Sequence, residues 1–353
     1  MSVFNLIRSD LKSIQTYIPG NDKPDCRLHM NELPWSPIES PGIALNHYPT
    51  MDAQNQLQER LANRYQVPPS ALLLTRGSDE GIDLLMRLFL QSGVDSILQC
   101  PPTFSMYAFY ARLQQVTVID CPLNDADRFC LNIQSMHEQW QPNCKLIMLC
   151  RPNNPTANLI ELETVAQICQ YYQDRSMIVV DEAYIEFSDA MSATHLVDQF
   201  DNLIVLRTLS KAYGLAGLRL GAVIAQPSMI SALKTIVAPF TLSSAVIDLG
   251  IRALQNDAWF EKAIQQIKTS RTQLMTGLQQ SIWIESVYPS DANFILIKTR
   301  FSNALYIYLE SLGIAVRRFT QASDLQQHLR ITIGSEAQNQ RVLAALESFR
   351  GEQ

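Results

Sequence analysis

Short apolar runs alternate with stretches of helical period along most of the chain after residue 70. The short runs predict strands buried on both faces, and apolar residues spaced three and four apart predict helices. The predicted strands are 72–75, 96–99, 117–120, 146–150, 177–181 and 203–207, and the predicted helices are 79–91, 105–113, 133–140 and 161–173. We expect Ser78 or Asp79 to cap the first helix. The alternation predicts an α/β fold with a mostly parallel sheet between two helical layers.

The pattern changes after about residue 243. A long helical stretch extends through residue 281, and strands are predicted at 293–297 and 329–333 with helices between and after them. The first 40 residues are rich in proline and polar residues, which favours an extended arm. A chain of 353 residues is long enough for about two domains. We therefore divide it into an N-terminal arm (1–40), a large domain (41–245) and a smaller α+β C-terminal domain (246–353).

The composition is that of an ordinary soluble globular protein, with 47% apolar and 18% charged residues. A net charge of −6, with no run of lysines or arginines, argues against a nucleic-acid partner. No apolar stretch reaches the roughly 18 residues of a membrane span. The seven cysteines lack the paired spacing of a zinc site. These features predict a cytoplasmic protein with small-molecule partners and no metal.

The most specific chemistry lies in the segment that runs from Arg207 through Lys211 to Arg219. A lysine amine attacks an aldehyde only when it is neutral, so nearby cations that lower its pKa favour covalent attachment. We expect Arg219 to supply such a charge, with Arg207 as a further candidate. Lys211 is thus a candidate covalent anchor; the alternative is a surface lysine in a turn.

Asp181 and Tyr184 follow a run of apolar residues that predicts a buried strand. A carboxylate at the end of a buried strand is costly unless it meets a cation or several donors, and a protonated pyridine nitrogen is such a cation. The rival interpretation is the acidic strand end of a P-loop ATPase. It requires a Gly-x-x-x-x-Gly-Lys-[Ser/Thr] motif, which the sequence does not contain.

Other enzyme classes lack the residues that they require. Thr208 and Lys211 have the spacing of a Ser-x-x-Lys hydrolase, but threonine replaces the serine and the companion motifs are absent. The sequence also contains neither a Gly-x-Ser-x-Gly nor a Gly-x-Gly-x-x-Gly motif. Hydrolase and simple dehydrogenase functions are therefore not supported.

Three further segments follow predicted strands. The turn around Gly77 opens a predicted helix, whose backbone N–H groups would face an anion such as a phosphate, with Ser210 and Arg219 as added donors. Asn154 lies in a turn that would place it over a ligand, and Phe104 is placed to stack on a planar ring. A capped helix, a plain turn and core packing are the respective alternatives.

Taken together, these motifs resemble the fold-type I pyridoxal phosphate enzymes, and within them the histidinol-phosphate aminotransferases of the class II aminotransferase subfamily. The resemblance runs nearly from end to end. The motifs that carry it are Tyr17-Ile-Pro-Gly, Met30-Asn-Glu-Leu-Pro-Trp35, Asn46-His-Tyr48-Pro, Thr75-Arg-Gly-Ser-Asp-Glu-Gly81, Pro101-Pro-Thr-Phe104, Pro152-Asn-Asn-Pro-Thr156, Asp181-Glu-Ala-Tyr184, the lysine segment and Leu329-Arg330-Ile-Thr-Ile-Gly334.

The resemblance implies a role for each matching residue. Lys211 would hold the cofactor covalently and then act as the general base. Asp181 would bind the ring nitrogen, Tyr184 and Asn154 the ring hydroxyl, and Phe104 would stack on the ring. The residues implied around the cofactor phosphate are Gly77, Ser78, Asp79, Thr208, Ser210 and Arg219, with Tyr48 reaching in from a second subunit of a homodimer. The residues implied to bind substrate are Tyr17, Asn31, Arg317 and Arg330.

The implied reaction is transamination of L-histidinol phosphate with 2-oxoglutarate, which gives imidazole-acetol phosphate and L-glutamate in histidine biosynthesis. An aromatic amino acid aminotransferase and, less favoured, a threonine-phosphate decarboxylase remain alternatives. A noncatalytic cofactor-binding module would need an appended DNA-binding domain, which the net negative charge does not support. The sequence departs from the family pattern at three positions. Phe104 often corresponds to tyrosine, Ala157 replaces a glycine, and Arg318 beside Arg317 leaves open which guanidinium faces the substrate.

Overall fold

A seven-stranded sheet organises most of the chain in the computed structural model, which describes residues 3–11, 35–36, 43, 45–319 and 324–351. Its strands are β1 (Leu72–Thr75), β2 (Ser96–Gln99), β3 (Thr117–Asp120), β4 (Cys144–Cys150), β5 (Met177–Asp181), β6 (Leu203–Thr208) and β7 (Gly221–Ala225). The strand order is β1-β7-β6-β5-β4-β2-β3, and β7 is antiparallel to both of its neighbours while the other pairs are parallel. The predicted mostly parallel sheet is confirmed; β7 was not predicted.

Helices cover both faces of this sheet because its central strands are apolar on both sides. Along β4, Ile147 and Leu149 pack into one core and Leu146 and Met148 into the other, as the two-residue period of a strand requires. The helices that precede or cover the sheet are α1 (Met51–Arg64), α2 (Gly77–Phe89), α3 (Met106–Leu113), α4 (Ile133–Gln139), α5 (Leu162–Tyr171) and α6 (Pro227–Lys234). Residues of α1, α4 and α5 pack on one face, and residues of α2, α3 and α6 on the other.

The C-terminal part of the chain builds a second sheet and a third hydrophobic core. Its helices are α7 (Ser244–Ala253), α8 (Asp257–Gln279), α9 (Ser302–Ser311) and α10 (Glu336–Ser348), and its strands are β8 (Ser286–Val287), β9 (Phe294–Lys298), β10 (Arg317–Arg318) and β11 (His328–Thr332). The four strands pair antiparallel in the order β10-β11-β9-β8. Apolar residues of α8, α9 and α10 cover this sheet.

The predicted long helix between residues 243 and 281 is two helices. The chain leaves α7 after Ala253, and α8 starts at Asp257 with the Asn256 side chain accepting a hydrogen bond from the Trp259 N–H. An asparagine cap is the ordinary start signal of a new helix. The division into an arm, a large domain and a small domain remains a prediction.

Little of the predicted arm falls in the described part of the chain. There, 3-10 turns cover Val3–Leu6 and Ser9–Leu11, and Val3 and Ile7 are buried in the core beneath α2, α3 and α6. No helix in the described ranges is long and apolar enough to cross a membrane. Those ranges also contain no cluster of histidine, cysteine or acidic residues that is arranged to hold a metal ion.

Candidate active site

A pocket lies where β1, β2, β4, β5 and β6 end and β7 begins. Parallel strands share one carboxyl edge, so residues distant in sequence meet there. The pocket holds about 530 Å³, counting its open mouth. Of the residues singled out from the sequence, it brings together Ser78, Asp79, Phe104, Asn154, Asp181, Tyr184, Thr208, Ser210, Lys211 and Arg219. Cys150, Ala183 and Ala216 also line it and were not expected.

Asp181 forms the deep end of the pocket, at the last position of a strand that is buried throughout. One carboxylate oxygen accepts a 2.8 Å hydrogen bond from the Tyr107 hydroxyl, and the other accepts a 3.2 Å bond from the Ala183 backbone N–H. Burial raises the pKa of Asp181 to about 6, although these two donors oppose the rise. This end of the pocket is therefore suited to a cationic or proton-sharing ligand atom.

Asn154 and Tyr184 form one wall of the pocket. The Asn154 amide donates a 3.4 Å hydrogen bond to the Tyr184 hydroxyl, and the Asn154 carbonyl accepts a bond from the Arg330 guanidinium. Burial raises the pKa of the Tyr184 phenol, so it remains a donor at neutral pH. The Tyr184 ring packs edge-on against Phe294 of β9, with ring centroids 5.1 Å apart. Through these contacts, the smaller sheet helps to shape the pocket.

Lys211 stands at the pocket mouth with its amine 5.6 Å from the centre of the Tyr184 ring. Its pKa is lowered, first by loss of solvent and then by the charges of Arg330 and Arg219. The expectation for Arg219 agrees with this result. Arg207 makes no such contribution, because its guanidinium is buried on Glu182 and Glu186 instead.

The start of α2 forms the opposite end of the pocket. The helix begins at Gly77 in a left-handed conformation (φ 77°), and its N-cap residue, Arg76, makes no side-chain capping bond. Ser78 and Asp79 lie within the first turn, so the prediction that one of them caps the helix is wrong. A helix start whose first N–H groups have no side-chain cap attracts an anion.

Side chains from β6 and the following loop face the same end. The Arg219 guanidinium donates to the Ser210 hydroxyl and to the Asp79 carboxylate, both at 3.2 Å, and the Thr208 hydroxyl donates to Ser210 at 3.0 Å. Arg219 adopts left-handed backbone angles (φ 53°), which are uncommon outside glycine. A Cβ on Gly77 would lie only 2.8 Å from the Arg219 guanidinium, so glycine permits this close approach.

Arg317 and Arg318 differ in what they contact. Arg318 donates to the Asn303 side chain and lies 4.5 Å from the centre of the Tyr306 ring, on the α9 side of β10. Arg317 stands directly across the ladder from Arg330, and its charge lowers the pKa of Arg330 after burial. The Arg330 Nε is buried with no hydrogen-bond partner among the described residues. The positive charges of Arg317 and Arg330 therefore act on the same region, while the guanidinium of Arg318 is held by Asn303 and Tyr306.

Other predicted residues lie elsewhere. Tyr48 is half-exposed and stacks on Phe240, with centroids 4.6 Å apart, rather than lining this pocket. Tyr17 and Asn31 lie outside the described residues. Ala157 adopts the left-handed conformation (φ 62°) that its glycine counterpart would favour, at a cost of roughly 1 kcal/mol.

The sheet order, the smaller C-terminal sheet and the pocket at the carboxyl edge define a fold-type I pyridoxal phosphate-type transferase. The family model for aminotransferase class I and II matches residues 38–346. The chain belongs to this family and is an aminotransferase.

Individual relatives agree with that assignment. The histidinol-phosphate aminotransferase 1 of Legionella pneumophila (strain Lens) is 52% identical over 99% of this chain and 96% of its own length. The histidinol-phosphate aminotransferase of Xanthomonas euvesicatoria is 37% identical over 98% and 97%. The crystal structure of a Sinorhizobium meliloti histidinol-phosphate aminotransferase in complex with pyridoxal-5'-phosphate superimposes with a TM-score of 0.77 at 24% identity, covering 86% of this chain and 83% of that one.

Proposed function

We propose that this aminotransferase uses pyridoxal 5'-phosphate to exchange an amino group between L-histidinol phosphate and 2-oxoglutarate, giving imidazole-acetol phosphate and L-glutamate in histidine biosynthesis. The observation that carries the proposal is one pocket with a buried carboxylate, a lysine of lowered pKa and a helix start without a side-chain cap. The names of the relatives at 52% and 37% identity support the choice of substrate.

The residues that line the pocket fit pyridoxal phosphate in their charges and in their order from the deep end of the pocket to the start of α2. Asp181 would hold the protonated ring nitrogen at the deep end, and Asn154 with Tyr184 would hold the ring hydroxyl. The phosphate would be bound by the start of α2 with Ser210 and Arg219, where Thr208, Gly77, Ser78 and Asp79 complete the cradle. Phe104 lines the pocket and would cover the ring. This donor set supports pyridoxal phosphate as the cofactor.

When bound, the cofactor supplies an aldehyde carbon that takes up the amino group and a protonated ring that accepts electrons as the substrate Cα loses its proton. Lys211 would act as the nucleophile that holds the cofactor and as the base that moves this proton. Its lowered pKa increases the fraction of neutral amine at a given pH. Asp181 would keep the proton on the ring nitrogen, and Tyr184 would hold the ring hydroxyl.

Arg330 and Arg317 would bind the anionic ends of the two substrates. Two guanidinium groups facing each other across a ladder suit a phosphate in one half reaction and a carboxylate in the other. Because Arg318 is held on Asn303 and Tyr306, we assign the substrate contact to Arg317. We keep Tyr17 and Asn31 as proposed substrate-binding residues on the resemblance alone.

We propose a homodimer in which Tyr48 completes the phosphate site of the partner subunit. Tyr48 and Phe240 form a stacked pair on a surface shared with exposed Met51 at the start of α1. Exposed aromatic and methionine side chains are typical of a subunit contact. Sedimentation should give about twice the chain mass of 39.9 kDa.

The six cysteines in the described ranges are free thiols, which supports a cytoplasmic location.

Replacement of Lys211 tests the class of chemistry. Lys211→Ala should lose nearly all transamination and the absorbance of a covalently held cofactor, while Lys262→Ala, an exposed lysine on α8, should retain both. Lys211→Ala protein with a rate close to wild type would exclude the assigned role. Wild-type protein that never develops cofactor absorbance would exclude the cofactor itself.

The substrate is tested by competition. Histidinol phosphate and phenylalanine, supplied together with 2-oxoglutarate, should yield imidazole-acetol phosphate in large excess over phenylpyruvate. The reverse ratio would favour an aromatic amino acid aminotransferase. Carbon dioxide release from threonine phosphate would favour the decarboxylase.

A further inference from the structure

Tyr107 is a fully buried tyrosine outside the residues assigned above. It lies on α3, three residues after Phe104, and the two rings meet edge-on with centroids 5.6 Å apart. Its hydroxyl reaches through the core to the Asp181 carboxylate at 2.8 Å. A phenylalanine would fill the same space, so the packing of the ring does not account for the hydroxyl. The role of the hydroxyl therefore lies in its hydrogen bond to Asp181.

The protonation states of this pair are unequal. Burial, followed by the negative charge of Asp181, raises the pKa of the Tyr107 phenol well above its usual value. Tyr107 therefore stays protonated and donates, while Asp181 accepts. A hydrogen bond to a buried carboxylate is among the stronger ones in a protein.

Asp181 needs such a donor, because its surroundings disfavour its charge. Burial raises its pKa most, and the charges of Asp79 and Glu182 raise it further. The Tyr107 hydroxyl and the Ala183 N–H are the hydrogen bonds that lower it. Cys150, directly across the ladder from Asp181, is a buried thiol, and its pKa is raised so that it brings no charge. Lys211 faces Asp181 from the pocket mouth and interacts with its charge.

We propose that Tyr107 is a positioning residue of the active site, which holds the Asp181 carboxylate ionised and fixed in orientation toward the ring nitrogen of the cofactor. The inference rests on the proposed function, since it assigns Asp181 to that nitrogen. Tyr107 itself touches neither substrate nor cofactor in this role. Its loss should weaken the recognition of the ring without removing any group that contacts it.

The test measures cofactor binding to Tyr107→Phe protein as a function of pH. Pyridoxamine 5'-phosphate is the probe, because it has the same ring but no aldehyde, so its binding does not require Lys211. Below the pKa of Asp181, the carboxyl group must lose its proton before it can pair with the protonated ring nitrogen. The affinity for the probe therefore decreases as the pH decreases. Without the hydroxyl, the pH below which affinity falls, here called the acid limb of the binding profile, should rise by about one pH unit. On the acid side this corresponds to about a tenfold weaker affinity. The difference from wild type should shrink at higher pH.

Two further variants separate positioning from general destabilisation. Tyr172→Phe removes another fully buried phenol, at the C-cap of α5, which bonds to His137 of α4 at 2.9 Å, and neither residue lines the pocket. It should leave the pH profile of probe binding unchanged. In an Asp181→Asn background, Tyr107→Phe should have little further effect on affinity, because the carboxylate through which it acts is absent. Thermal unfolding of the cofactor-free proteins checks that each variant folds.

Each outcome has a definite meaning. Wild-type protein that binds neither pyridoxal phosphate nor the probe overturns the proposed function. If wild type binds and Tyr107→Phe shows the same pH profile, the positioning role of Tyr107 is wrong while the proposed function stands. An equal loss of affinity with and without the Asp181 carboxylate makes Tyr107 a structural residue and overturns the inference. An upward shift of the acid limb that disappears in the Asp181→Asn background supports it.

Discussion

Gly221 is the residue at which the backbone around the start of α2 is packed most tightly. It opens β7 and pairs with Thr75 on one side and Thr208 on the other. A Cβ there would lie 2.6 Å from the Gly77 carbonyl carbon and 2.8 Å from the Ser78 nitrogen. Since these are backbone atoms, they cannot swing aside as a side chain would. The position of the start of α2 therefore depends on a glycine in β7, far from α2 in the sequence.

Gly221→Ala should accordingly destabilise the protein by about 1 to 3 kcal/mol, the usual cost of overpacking, and weaken pyridoxal phosphate binding by displacing the start of α2. Denaturant unfolding and cofactor titration measure the two effects. Gly217→Ala is the matched control, because a Cβ there meets nothing within 4 Å. Equal behaviour of the two variants would show that the close approach is not limiting.

The pair Arg317 and Arg318 gives a second test at the scale of single residues. Arg317→Ala should raise the KM for histidinol phosphate about tenfold, since a charge-assisted bond to phosphate is lost from a partly hydrated site. Arg318→Ala should change KM less than threefold or so, because its guanidinium is held on Asn303 and Tyr306. Steady-state kinetics at fixed 2-oxoglutarate measure both KM values. A larger increase in KM for Arg318→Ala than for Arg317→Ala would assign the substrate contact to Arg318 instead.

At the scale of elements, a buried ion network ties the ends of β4, β5 and β6 together beneath the pocket. Glu182 follows β5 and is fully buried; it accepts from Arg151 after β4 at 2.8 Å and from Arg207 in β6 at 3.5 Å. Arg207 also pairs with Glu186 at 2.7 Å. These contacts fix the strand ends that present Asn154, Asp181 and Thr208.

Glu182→Gln should lower the free energy of unfolding by about 3 to 5 kcal/mol, because it leaves the fully buried Arg151 without its counter-charge. Urea unfolding of the cofactor-free protein provides the measurement. Asp83→Asn breaks the exposed pair with Arg87 on α2 and should cost no more than about 0.5 kcal/mol. A Glu182 variant as stable as the Asp83 variant would mean that the network contributes specificity rather than stability.

The sequence predicts the central parallel strands well because both of their faces are buried. Residues 177–180 are apolar throughout, and β1, β2, β3 and β5 have the predicted bounds. By contrast, β7 follows a loop whose conformation is set by Arg219 and the tight packing of Gly221, which no local pattern reveals. The start of α2 lies two residues before its predicted position for a similar reason, since the left-handed Gly77 opens the helix just before Ser78 and Asp79, the residues that resemble a cap.

The site could be assembled from the sequence only where a residue type is itself diagnostic. Lys211 and Asp181 stand out as a lysine beside hydroxyls and an acid after an apolar strand. Tyr107 does not, because a tyrosine at an apolar position of a helix is usually core. Glu182 and Arg151 look like surface charges in the sequence, and only the strand order places them together in the core.

At the scale of the whole molecule, a polar cluster joins the loop after β3 to the smaller sheet. The Tyr288 hydroxyl donates to Asp125 and lies 3.0 Å from Nε2 of His328, and Lys298 pairs with Asp125 at 2.6 Å. His328 is buried two positions before Arg330 on β11. The cluster thus connects the packing of the two sheets with the strand that carries the proposed substrate contact.

This cluster predicts a pH dependence of stability. Burial lowers the pKa of His328 below its usual value of about 6.5, more than the charge of Asp125 raises it; Lys298 lowers it and Glu285 raises it by smaller amounts. Above that usual value, His328 is neutral in both the folded and the unfolded chain and has no effect. As the pH falls through it, the unfolded chain binds the proton first, so stability is lost until the lower folded-state pKa is reached.

The wild-type protein should therefore lose more stability between about pH 7 and pH 5.5 than His328→Gln, which cannot titrate. Urea midpoints across this range measure the slope for each protein. His195→Gln, which replaces an exposed histidine, controls for the loss of an imidazole elsewhere. Parallel slopes for wild type and His328→Gln would show that the junction does not sense pH. A shallower slope only in His328→Gln would assign the contribution of His328 to acid sensitivity to the contact between the two sheets.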